Sequence, residues 1–220
     1  YFDRITRPEQ IIQSFPNAVQ TMLDPAECGP ACISLCQDIQ GQTFEYPEEF
    51  FKERIHSIRR PRPDDFQIKE AAEKIKKSKN PIIISGGGVF YSNAMEELSN
   101  FATKHNIPVT QTVMGYSTMK RDHSHYAGQI GGLGGKNTND LAKETDLAIA
   151  VGTKLADFTT GSWANFENEK FKLVSINVSR FDANKHLAQA VVGDAKVSLI
   201  ELSKALGDWK ASDEWNKKSQ

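Results

Sequence analysis

The sequence carries no surplus of either charge. Among 220 residues, 27 lysines and arginines face 28 aspartates and glutamates, for a formal net charge of -1. Nucleic acid draws most of its affinity from an extended basic field, so nucleic-acid binding is not expected. No apolar stretch approaches the roughly 20 residues that a bilayer-spanning helix needs. The start, Tyr1-Phe2-Asp3-Arg4, shows neither an initiator Met nor a signal-peptide pattern, and the expectation is a piece of a longer cytoplasmic protein without membrane contact. Cysteine is scarce: Cys28, Cys32 and Cys36 are odd in number and close together, which is no framework for a secreted disulfide scaffold. Their spacing would align metal ligands on a helix, but Gly29-Pro30 interrupts it, so small buried residues are expected instead. No P-loop, G-x-S-x-G, H-E-x-x-H or C-x-x-C pair is present. The last absence removes a zinc-bearing sirtuin-like deacylase. His123 and His125 could share a metal in a strand, but no acidic or thiol pattern completes a site, and exposed loop histidines are expected.

What is present is globular: 39% hydrophobic and 25% charged residues, enough for one well-buried domain and an appendage. Thr6-Arg7-Pro8-Glu9 has the form of a capping box, and Ile11 to Leu23 recur at helical spacing, with Pro16 expected to kink them. A short strand over residues 31–35 follows. Residues 41–64 then carry Pro47, Pro61, Pro63 and Arg59-Arg60, the composition of a connection between domains. From Asp65 the pattern is regular, with a helix through Ile68 and Ile75, then strands at Ile82, 107–112, 147–151, 172–178 and 190–192. Helices lie between them, and Asp194 caps the last one. Alternation at this spacing implies a mostly parallel sheet covered on both faces. The polar tail after Gly207 is expected to fray or act as a linker.

In such a sheet the ligand crevice lies beyond the carboxyl ends of the strands. The triplet Gly86-Gly87-Gly88 ends one strand and precedes an amphipathic helix, where backbone can approach a ligand and free amides can meet an anion. The same glycines would equally serve to tighten a βα turn. Thr112 to Gly115, Gly152 with Lys154 and Asp157, and 177–179 occupy the corresponding ends of other strands. Lys154 would meet a phosphate as a point charge and Asp157 would accept from a hydroxyl. A dinucleotide dehydrogenase is not indicated: no acidic residue ends the strand after the triplet, which reads Gln111-Thr112-Val113, and the Gly128, Gly131, Gly134 spacing follows a polar loop.

The run 35–40, Asn80-Pro81-Ile82 through Gly88, Ile107-Pro108-Val109 and Gly152 through Gly161 resemble, in order and spacing along nearly the whole chain, thiamine-diphosphate-dependent enzymes of the acetolactate synthase type. The resemblance implies a three-layer α/β/α fold with a six-stranded, mostly parallel, Rossmann-like sheet and an N-terminal α-β appendage. Residues 1–45 correspond to the end of the pyrimidine-binding domain, 46–62 to a linker, 63–207 to the central domain and 208–220 to a tail. Tyr1 to Gln10, Asp157-Phe158-Thr159-Thr160 and Ile176-Asn177-Val178-Ser179 are most similar to the inositol-catabolic branch, which hydrolyses a carbon-carbon bond to open a cyclic dione towards 5-deoxyglucuronate.

The family's nucleotide groove maps onto Gly86, Gly87, Gly88, Thr112, Met114, Gly152, Lys154, Asp157 and Asn177. Two departures argue against a flavin there. Phe158 stands where synthases have a second arginine, and Gly132-Leu133-Gly134 stands where they have Met-His-Gly. Cys36 replaces a usual proline. Thiamine diphosphate and Mg2+ are implied for the parent enzyme but outside this chain, because Gly193-Asp194 continues to Ala195 and Gly207-Asp208 to Trp209, and neither makes the Gly-Asp-Gly motif. The chain alone is then expected to be catalytically silent, a scaffold working with the parent's remaining domains in a homo-oligomer. The alternatives are a synthase-like domain whose groove holds FAD or ADP, and a purely structural domain.

Overall fold

The computed structural model describes residues 1–219. The chain divides into two compact units, Tyr1–Arg59 and the remainder from Arg60. In the first unit, strands β1 (Phe2–Ile5) and β2 (Cys32–Leu35) pair in parallel, with helix α1 (Ile11–Leu23) between them and the short α2 (Gln37–Gln40) after them. β1 escaped the sequence reading because two of its four residues, Asp3 and Arg4, are charged. The expected capping box is one residue out of register. Pro8 opens a 3-10 turn, and the side-chain carbonyl of Gln10, not Glu9, accepts from the amides of Thr6 and Arg7 at 2.7 and 2.8 Å. Cys28 and Cys32 are exposed and Cys36 half-buried, against the expectation of buried thiols, because little apolar material covers β2. Phe44, Tyr46, Phe50 and Phe51 gather edge to face or stacked, with centroids 5.0 to 6.0 Å apart.

The second unit is a six-stranded, all-parallel sheet of β3 (Pro81–Ser85), β4 (Val109–Gln111), β5 (Tyr126–Gln129), β6 (Leu147–Val151), β7 (Lys172–Asn177) and β8 (Gln189–Val192), in the order β5-β4-β3-β6-β7-β8. β5 was hidden from the sequence reading. It is a short edge strand whose Gly128 and half-buried residues give no apolar alternation. Helices α3 (Asp65–Lys76), α4 (Gly88–Tyr91), α5 (Met95–His105), α6 (Lys136–Glu144), α7 (Asp157–Thr160), α8 (Arg180–Ala183), α9 (Ala195–Leu206) and α10 (Asp213–Lys218) complete the unit.

The side-chain period of two sorts the central strands between two cores. Ile83, Ile149, Val151, Val174 and Ile176 pack with α3, α5 and α9 on one face. Ile82, Ile84, Ala148, Ala150 and Leu173 pack with Leu141 of α6 and Trp215 of α10 on the other. A sheet sandwiched in this way has no wet face, which is why β3 and β6 read as unbroken apolar runs. The cap expected at Asp194 is present, accepting from Lys196 N and Val197 N, and Asp64, which the sequence pattern did not single out, caps α3 by accepting from Phe66 N at 2.8 Å. The stretch after Gly207 departs from the expected frayed tail. Ser212 caps α10, and Trp215, only 4% exposed, donates its indole N–H to Pro81 O at 2.8 Å, so one aromatic residue fixes a polar segment. Among the described residues no helix is long and apolar enough to cross a membrane.

Candidate functional site

The chain runs β3, β4, β5 in one direction, then returns to lay β6, β7 and β8 on the other side of β3. The order therefore reverses between β3 and β6, and the crevice of a doubly wound sheet belongs at that point, beyond the carboxyl ends. All nine candidate residues lie there. Gly86 to Gly88 follow β3, Thr112 and Met114 follow β4, Gly152, Lys154 and Asp157 follow β6, and Asn177 ends β7.

The floor of the crevice is backbone against backbone. Gly88 N donates to Gly152 O at 2.9 Å, and Gly86 N donates to Val151 O at 2.9 Å. Gly152 has φ +60, and a Cβ there would stand 2.6 Å from Gly88 Cα, a separation real side chains do not reach. A Cβ on Gly86 would lie 2.4 Å from Gly152 O. The missing side chains of Gly86 and Gly88 are thus filled by the facing loop. The expectation that free amides follow the triplet is corrected. The element after the triplet is the four-residue α4, and its early donors are taken, Val89 N by Gly86 O and Phe90 N by Gly87 O. The amphipathic α5 begins only at Met95, and its residue Asn106, at φ 54, ends it in the left-handed conformation.

The walls are held by polar side chains. Thr112 donates its amide to Ser85 O at 3.0 Å and accepts from Gly115 N at 3.0 Å, which sets the turn that carries Met114 outward, 72% exposed. Asn177, 9% exposed, donates to Thr153 O at 3.3 Å and accepts from Ser179 N at 3.0 Å, tying the β7 end to the β6 loop. Lys154 and Asp157 are exposed, and neither belongs to an ion pair among the described residues. Near Asp157, His186 meets Trp163 at a tilt of 57° with ring centroids 4.4 Å apart. Burial and Lys185 hold its imidazole below the usual value, and Asp157 opposes them. Phe158 is 75% exposed and Leu133 68%, so the two departures from the synthase pattern present apolar side chains to solvent. Gly132 N donates to Phe158 O at 2.7 Å, locking their loops together.

The sequence reading missed Ser85, Gln111 and Thr118, which form a buried network beneath Gly115. Ser85 and Thr118 hydroxyls are 2.7 Å apart, and Gln111 donates to Thr118 Oγ1 at 3.3 Å. The available signal was three polar residues, Thr110-Gln111-Thr112, ending a strand in an apolar sheet. The histidines also differ from expectation. His125 is 7% exposed rather than a loop residue in water, its Nε2 3.1 Å from Asn106 Oδ1, and burial lowers its pKa. Among the described residues no three His, Cys, Asp or Glu side chains come together as a metal site.

A profile described as thiamine pyrophosphate enzyme, central domain, matches residues 68–202. Over 206 residues, 94% of the chain, the sequence is 46% identical to a 3D-(3,5/4)-trihydroxycyclohexane-1,2-dione hydrolase of Clostridium perfringens (strain 13 / Type A), of which it spans 32%. Over 226 residues, 98% of the chain, it is 43% identical to the protein of the same description from Bacillus velezensis, spanning 35% of it. The chain therefore covers about a third of the length of these curated relatives. The fold is shared with a putative thiamin diphosphate-dependent enzyme of Mycobacterium smegmatis, with a TM-score of 0.74, 22% identity, and coverage of 94% of this chain and 40% of that one.

Proposed function

The chain belongs to the thiamine pyrophosphate enzyme family, whose central domain it carries, and on that premise we propose that its parent protein hydrolyses a carbon-carbon bond to open the ring of a trihydroxycyclohexane-1,2-dione. The observation that carries the reading is the 46% identity over 94% of the chain, which runs through both units. The parent would work in the cytoplasm as a homo-oligomer, with thiamine diphosphate and Mg2+ held by its other domains.

The residues present do not fit that cofactor. Asp194 follows Gly193, yet its carboxylate is already committed to Arg60 Nη1 at 3.0 Å and to the first amides of α9. It is a helix cap and not a magnesium ligand. The crevice is equally poor for FAD or ADP, because backbone fills the space beside Gly86 and Gly88, and the donors of α4 are spent. This chain is accordingly a scaffold in which Gly86, Gly88, Thr112, Gly152 and Asn177 of the groove lock β3, β4, β6 and β7 together.

The test is an assay of the intact protein with the trihydroxycyclohexane-1,2-dione, thiamine diphosphate and Mg2+. Appearance of a ring-opened acid that depends on both additions is expected, and its absence at saturating substrate would overturn the reading. Thermal-shift titration with FAD and ADP should leave the melting temperature unchanged, since only a ligand of the native state raises it. A saturable rise with either would revive the nucleotide-binding alternative.

A further inference from the structure

Beside the end of β4 lies a hollow of about 300 Å3, lined by Gln111, Tyr116, Ser117, Met119, Lys120 and Arg121. It shares no residue with the nine groove positions. Its wall is built before any ligand arrives: Thr118, 1% exposed, donates to Gly115 O at 2.7 Å, and Gln111 donates to Met119 O at 3.0 Å. Ser117 closes the turn at φ 66.

Three features point to an occupant. Lys120 and Arg121 are adjacent, and neither pairs with a carboxylate among the described residues. Asp122 is exposed and does not line the hollow. Arg121 is nevertheless aimed, donating to Tyr116 Oη at 2.7 Å with its guanidinium carbon 5.3 Å from the ring centroid. Gln111 lines the hollow and spends its amide N–H groups on Thr118 and Met119, so the group it can offer an occupant is Oε1, which accepts from no donor among the described residues. An amide oxygen turned to such a hollow can accept from a ligand hydroxyl. Two cations without a carboxylate partner among the described residues, beside one acceptor, match a molecule with an anionic group and a hydroxyl.

We propose that this hollow binds a small hydroxylated anion, its charge met by Lys120 and Arg121 and one hydroxyl donating to Gln111 Oε1. The anionic group is a carboxylate or a phosphate.

Calorimetric titration of the intact protein with D-glucuronate, D-glucose 6-phosphate and neutral D-glucose tests this. Saturable binding of at least one anion, with glucose binding about tenfold or more weaker, is expected. Glucuronate alone assigns a carboxylate site, and glucose 6-phosphate alone a phosphate site. The double variant K120A/R121A should lose about tenfold in affinity for the bound anion. Both side chains are exposed, and an unchanged melting temperature verifies the fold. Absence of saturable heat from either anion overturns the proposal, as does equal binding of glucose or affinity that survives K120A/R121A. The wild-type comparison of charged with neutral sugar decides the matter even if the variant proves unstable.

Discussion

The two units bury their strands to very different depths. In the second, all five residues of β3 and all five of β6 are buried. In the first, Ile5 is the one buried residue of β1, and β2 has none. Both units contain parallel strands, yet only the larger has helices on both faces of its sheet. Parallel pairing is stable where both faces are covered, and two strands alone do not supply that cover. The backbone pattern is common to both units. The apolar layers that stabilise it belong to one.

The sharpest way to break this contrast is at the contact where the second unit has no slack. Gly152→Ala forces a Cβ to 2.6 Å from Gly88 Cα at a φ of +60. Strain and overpacking together should cost about 2–6 kcal/mol in chemical denaturation. A loss under about 1 kcal/mol would mean the β3 and β6 loops can separate freely. Next in size, Ile83→Ala empties a fully buried position and should cost about 2–5 kcal/mol. Leu35→Ala, at a 51% exposed residue of β2, should stay within about 0.5 kcal/mol. Equal losses at the two sites would show that the first unit is as tightly packed as the second.

Asp194→Ala comes third. It removes the cap of α9 and leaves Arg60, among the described residues, with Ser92 O as its polar partner. The expected cost is about 1–3 kcal/mol, read as a fall in the denaturation midpoint. The smallest effect is pH dependence. His105 is fully buried, with Nδ1 2.7 Å from Trp209 O, Nε2 3.0 Å from Ser203 Oγ and the Phe101 ring centroid 4.7 Å from its own. Burial foremost, with Lys104 and Lys210 adding to it against the Trp209 carbonyl, holds its pKa below 6.5. The unfolded chain then takes up protons that the native state refuses. Stability present above pH 6.5 drains as the pH falls below it. Melting temperature should drop between about pH 7.5 and pH 5.5, and less steeply in His105→Gln. A variant with an unchanged slope would assign the effect elsewhere, His125 being the next candidate.

How much was legible follows from how local each determinant is. The runs at 82–84 and 147–151, and the cap Asp194, are written in adjacent residues and were readable. β5 was not, because an edge strand with Gly128 needs only its neighbour β4 to exist. Family membership was legible from motif order along the chain. The crevice was legible in position, since strand ends can be counted. Its interior was not: the pairing of Gly88 with Gly152 and the unpartnered Gln111 Oε1 depend on loops far apart in sequence meeting in space. Residue type announced glycine but could not say what would occupy the room it left.

The indole of Trp215 sits against the first residue of β3 in an apolar core, one of three tryptophans in the chain. That makes the molecule its own fluorophore. With Trp163 and Trp209 replaced by Phe, emission from Trp215 should be blue-shifted while α10 is docked and move to the red when this helix leaves the sheet, so the detachment of a single short segment can be followed optically, without an added label, before the rest of the fold gives way.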